Sequence, residues 1–217
     1  MMQAVLATTS LAQPPPPAGS AVSLSPAQIA LFDTPHLANV TAPETLLYDY
    51  RRVGPDAFTD TIAVHVKEKN ADGSKDVTVD YLTGAHQVPF PPLEHFHGNP
   101  LFMIVLEHDV NEMSRALGMS KAYLRNRVRD AFIAAPVNQT TSTVGGKTTP
   151  AREIVAIPFA HDDRFERMSS LQAKTYRFLL DEQVPGGIAE IRVDTPADDA
   201  LHAPSLSEQI TFAGVAP

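Results

Sequence analysis

Cysteine is absent from all 217 residues. That excludes disulfides, thiolate zinc sites, iron–sulfur clusters and a thiol nucleophile together. No apolar run reaches the roughly 18 residues a helix needs to cross a bilayer. Charge of either sign is missing before Asp33, and no Lys or Arg precedes Arg51. Basic residues are also the minority overall, Lys+Arg 17 against Asp+Glu 25 for a net −8. Such a balance argues against a broad nucleic-acid or anionic-membrane surface. No G-x-S-x-G, G-x-G-x-x-G or H-E-x-x-H occurs, which removes the commonest hydrolase, dinucleotide and zinc-protease patterns. Gly145-Gly146-Lys147-Thr148 ends like a P-loop, but Thr141 stands where its first glycine belongs. Pro150 then falls where the phosphate-binding helix must start, so the segment reads as a hairpin turn.

What is present suffices for a core. Hydrophobic residues make up 43% and charged residues 19%, outside the composition of disordered chains. The length fits one domain, or one and a half, at about 150 residues each. Residues 1–12 (MMQAVLATTSLA) are apolar and small, and Ser10-Leu11-Ala12 before Gln13 has the small-x-small ending of a signal peptide, without its basic start. Residues 13–40 read as a tether. Pro14 to Pro17 favour an extended polyproline conformation, and Ser25-Pro26 caps a short helix to about Phe32 that Pro35 ends. Residues 41–217 are expected to form one folded domain.

Within that body, Leu46, Tyr48 and Tyr50 alternate with polar neighbours, as do Ile62, Val64 and Val66. Asn70 to Ser74 turns the chain into Val77, Val79 and Tyr81, a hairpin with Gly73 to take a positive φ. Residues 84–100 carry four prolines and suit neither a helix nor a central strand. From Leu101 the period becomes helical, with Phe102, Val105, Leu106, Val110, Met113 and Leu117 on one face. Gly118 stops that helix, and Ser120 caps a second one to about Ala134, carrying Tyr123, Leu124, Val128, Ala131 and Phe132. Strands resume at Val137–Val144, then at Glu153, Val155, Ile157 and Phe159. Tyr176, Phe178 and Leu180 mark the next, followed by Ile188–Val193 and Ile210 with Phe212. The order predicts an α+β fold, a strand-rich antiparallel curved sheet of about eight strands with a central helix pair packed against it.

Two constellations carry chemistry. Residues 113–129 (MSRALGMSKAYLRNRVR) resemble a helix-turn-helix, which implies DNA contacts from Lys121, Arg125, Arg127 and Arg129. Against that stand the acidic chain, Ser114 at a position usually taken by Ala, and the absence of a third helix. The same residues also read as two amphipathic helices with cations on the solvated side. Glu94-His95-Phe96-His97 is the second, since His-x-His in an extended segment sets both imidazoles on one side for a metal, with Glu107-His108-Asp109 further on. Two acidic loop pairs, Asp198-Asp199 and His161-Asp162-Asp163, are turn residues by the same logic.

Three functions follow. The first is a non-catalytic exported protein, periplasmic or secreted, without a cofactor, that binds a small apolar or lipid-like ligand or a protein partner. The alternatives are a DNA-binding regulator using residues 113–129 and a metal-dependent enzyme using His95 and His97. The first accounts for most of the sequence.

Overall fold

In the computed structural model, which describes residues 23–200 and 202–216, the first and last strands meet in the middle of one sheet. β1 (Glu44–Val53), β2 (Phe58–Lys69) and β3 (Lys75–Tyr81) form an antiparallel meander. Two short strands, β4 (Val88–Pro89) and β5 (Leu93–Phe96), pair with β3. Then come α2 (Leu101–Leu117) and α3 (Lys121–Ala134); a short α1 (Pro26–Gln28) precedes β1. A second meander follows: β6 (Val137–Val144), β7 (Lys147–Ala156), β8 (Thr175–Leu180), β9 (Ile188–Thr195) and β10 (Leu206–Ala216). β10 lies against β1, with Tyr50 opposite Ile210, so the spatial order is β4-β3-β2-β1-β10-β9-β8-β7-β6. The result is a curved, unclosed antiparallel sheet of ten strands in an α+β fold. About eight strands were expected; the additional two are the brief β4 and β5 inside the proline-rich stretch.

Alternation chose the buried face. Leu46, Tyr48 and Tyr50 of β1, Ile62, Val64 and Val66 of β2, and Tyr176, Phe178 and Leu180 of β8 are all buried. Both long helices pack on that face. Phe102 of α2 and Phe132 of α3 approach Phe178, with ring centroids 5.7 and 5.6 Å away. Each such ring removed from water contributes roughly 1.5–3 kcal/mol. Helix α2 is set by Asn99, whose Oδ1 accepts from the Leu101 N–H at 3.1 Å while its amide donates to Gly186 O at 2.9 Å. Gly118 ends α2 in the left-handed region at φ 66°, which a side chain would oppose.

Three details differ from expectation. In β7 the core takes Ile154 and Ala156, while Ile157 is 46% exposed, so the inward phase is one residue off the alternation Glu153, Val155, Ile157. In α2, Phe102, Val105, Val110 and Met113 are buried as expected, but Ile104, His108 and Asp109 are buried with them, and Leu106 is only half-buried. Residues 25–40, read as tether and short helix, supply Ala27, Ala30, Leu31, Leu37 and Val40 to the core. The signal-like and polyproline segments (1–12 and 14–17) lie outside the described residues.

Candidate functional site

Helix α1 begins at a complete capping box. Ser25 Oγ accepts from the Gln28 N–H at 3.3 Å, and Gln28 Oε1 accepts from the Ser25 N–H at 2.9 Å. The chain continues as a π-helical turn, Ile29–Asp33, closed by Thr34 Oγ1 donating to Ile29 O at 2.9 Å. Ser25 Oγ also donates to Phe132 O at 3.0 Å, fastening this segment to the end of α3, and Phe32 meets Phe132 edge-on at 6.0 Å. A groove of about 380 Å³ is left between the segment, α2 and α3. Phe32, Met103, Leu106, Val110, Val128 and Phe132 line it. Phe32 and Met103 remain 43% and 45% exposed, and Ile29 on the same segment is also exposed.

The groove's polar rim is Gln28, Glu107, Arg125 and Arg129. Arg125 grips Glu107 with two bonds, Nε to Oε2 at 2.8 Å and Nη2 to Oε1 at 2.5 Å. The hydrogen bond from Arg125, offset by burial and aided by its charge, holds the Glu107 carboxyl below its ordinary range. Among the described residues, Arg129 pairs with Asp130, Nε to Oδ1 at 3.6 Å.

The structure places the helix-turn-helix cations on an acidic background. Arg125 is bound to Glu107, and Arg127 Nε lies 3.1 Å from Asp162 Oδ2. Tyr123 donates to the same Asp162, and the Arg164 guanidinium covers the Tyr123 ring at 4.0 Å. Lys121, at the start of α3, is exposed. Three of the four cations thus face carboxylates of this chain, while Leu124, Val128 and Phe132 are buried.

His95 and His97 lie at β5 and just beyond it. His95 takes φ 53°, which interrupts the extended alternation behind the same-side expectation. Its Nδ1 lies 3.3 Å from Ser74 Oγ and 3.9 Å from Asp72 Oδ2, and its N–H donates to Asp76 Oδ1 at 3.1 Å. Hydrogen bonds from Ser74, and then the nearby His95 and His97, keep the Asp72 carboxyl below its usual range. Neither Glu94 nor Glu107 is brought to these imidazoles by any contact.

Among the described residues, three side chains of metal-ligating type do converge elsewhere: His108, Glu112 and Glu208 place ligand atoms within 4.8 Å of one another. Arg52 Nη1, however, stands 2.7 Å from Glu208 Oε1 and 3.2 Å from Glu112 Oε2, in the position a bridging cation would take. Tyr50 Oη also donates to Glu208 at 2.7 Å. Next to this set, Lys174 Nζ donates to Asp109 Oδ1 at 2.8 Å, and Tyr176 Oη donates to the other carboxylate oxygen. The layer joins α2 to the sheet through ion pairs and hydrogen bonds, with the Arg52 guanidinium already on the Glu112 and Glu208 carboxylates. Sequence reading missed it because Arg52, Asp109 and Lys174 look like surface residues in isolation; the available signal was His108 and Glu112 at helical spacing on the face of Leu101 and Val105.

One further set has catalytic residue types. Thr45 Oγ1 lies 3.1 Å from His65 Nδ1, and His65 Nε2 lies 2.9 Å from Asp80 Oδ2, across β1, β2 and β3. Each of those strands has a neighbour on both sides in the sheet, and Asp80 is exposed.

No helix among the described residues is long and apolar enough to cross a membrane. No family model and no curated protein matches the chain. Solved structures similar to it include two of comparable length. The lipoprotein LppX of Mycobacterium tuberculosis has 12% identity over 87% of this chain and 94% of that one, with a TM-score of 0.34. A LolA superfamily protein from Nitrosomonas europaea has 10% identity over 87% and 92%, with a TM-score of 0.25.

Proposed function

We propose that this protein binds, without transforming, a small apolar or lipid-like ligand in the groove between the 25–33 segment, α2 and α3. The observation that carries the reading is the groove itself, an apolar recess of about 380 Å³ left open on the helical layer. Its size falls in the range of small-ligand sites, a few hundred Å³. A ligand that covers Phe32 and Met103 gains roughly 25 cal/mol for each Å² of apolar surface removed from water. Arg129, weakly held by Asp130 at the rim, suits an amphiphile with an anionic end. We further propose that the protein works outside the cytoplasm, periplasmic or secreted. The small-x-small ending at Ser10-Leu11-Ala12 and the proline run after it support that address.

The test is titration of the delipidated protein with a fluorescent palmitate analogue. Met103→Glu and Leu106→Glu place charge in the apolar recess and are expected to weaken binding at least about tenfold, or ~1.4 kcal/mol. Circular dichroism checks the fold of both variants. Unchanged affinity in two folded variants would remove the groove as the seat.

A further inference from the structure

The two ends of the open sheet are finished differently. At one end β4 has two residues, one of them Pro89, β5 has four, and Pro91-Pro92 separate them. Brevity and proline keep such an edge from pairing with another chain. The other end is β6, eight residues reading Val-Asn-Gln-Thr-Thr-Ser-Thr-Val, without proline, glycine or charge. Its pairing with β7 runs unbroken from Val137↔Ile154 to Val144↔Lys147, so no bulge turns its outer side away. Among the described residues no strand covers that side. Asn138, Gln139, Thr140, Thr141 and Thr143 are exposed. The usual guards, present at one edge, are missing at the other.

We infer that β6 is a self-association edge, to which a second copy of this chain adds its own β6 in antiparallel sense. Such a pair is related by a two-fold axis normal to the sheet, which keeps each face on its own side. Residues opposite one another then share a face. Centred on Thr140, the pairing sets Gln139 against Thr141 and Asn138 against Ser142; centred on Thr141, it sets Thr140 against Ser142 and Gln139 against Thr143. In either register hydroxyls and amides meet, a favourable class of cross-strand pair, and no like charges face each other. That self-match matters in a chain of net charge −8, because most other surfaces of two copies repel. It also favours a second copy over a charged peptide, for which the edge holds no complementary charge. One eight-residue strand pair covers less than the roughly 1,200 Å² of a standard interface, so the dimer is weak and reversible.

Sedimentation velocity from about 10 μM to about 1 mM reads this directly, a range that brackets a weak dimer. The native chain is expected to shift from monomer towards dimer with concentration. A Thr140→Lys, Thr141→Lys variant and a Thr140→Glu, Thr141→Glu variant, each with native circular dichroism, are expected to stay monomeric. Mixed in equal amounts they are expected to re-form a dimer. A native chain monomeric throughout, a dimer undisturbed by the lysines, or a mixture that fails to associate would each overturn the inference.

Discussion

Ser25 Oγ donates to Phe132 O at 3.0 Å, a contact between residues 107 apart in the chain. It bonds a carbonyl at the end of α3 while the same hydroxyl caps α1, so one side chain fixes the wall that carries Phe32 to the helix that carries Phe132. The groove exists because these two anchors coincide. Ser25→Ala removes both, at a cost of about 1 kcal/mol for the cap. The expected result is a small fall in the denaturant midpoint and a larger fall in affinity for an apolar probe; equal affinity would show that the segment does not shape the recess.

Acid should destabilise the protein in two stages. Burial, only partly offset by the Ala30 carbonyl 2.8 Å from Nε2, lowers the pKa of His36 below its ordinary 6.5. The unfolded chain therefore takes up this proton first, so the stability tied to neutral His36 is complete above about 6.5 and is lost as pH falls below it. Asp181 titrates later. Burial works to raise its pKa, but the hydrogen bonds from Ser142, Thr149 and the Gln183 N–H together bring it below 3.8, so its contribution fades only as pH falls through the carboxylate range. Chemical unfolding measured from pH 8 to 5 should show a downward slope that His36→Gln removes. A slope unchanged by the substitution would assign it to other groups.

Lys174 and Asp109 are 3% and 6% exposed, and each is the other's compensating charge. Lys174→Met strands a buried carboxylate and is expected to cost about 3–5 kcal/mol. Lys174→Met combined with Asp109→Leu should recover much of that loss, as a hydrophobic pair of similar volume does. Urea unfolding of the single and double variants checks this. A single variant as stable as the native protein would mean that the pair carries no structural weight.

Gly187 sits at φ 74°, and a Cβ there would lie 2.5 Å from His36 Nδ1. Gly187→Ala combines left-handed backbone strain with that clash, for an expected loss of about 1–3 kcal/mol. A thermal midpoint equal to the native one would contradict this tight approach.

The strands were legible where one face is apolar and the other polar, as at Leu46, Tyr48 and Tyr50 or at Tyr176, Phe178 and Leu180. In β7 the run Ile154-Val155-Ala156-Ile157 is apolar on both faces, so periodicity could not choose a phase, and the core took Ile154 and Ala156. The half-buried Arg52 and the buried Asp109 and Lys174 were illegible for another reason: a charged residue is a surface residue until its partner is known, and Asp109 is 65 positions from Lys174. The groove was hidden likewise. Its helix residues were visible as an apolar face, but the opening depends on where residues 25–33 dock.

The most direct test of the ligand reading is methyl NMR on the delipidated protein titrated with palmitate. Met103, Leu106, Val110 and Val128 are expected to shift together and saturably, with the methyls of the β1–β3 meander unmoved. Shifts confined to that meander, or none at any position, would contradict it.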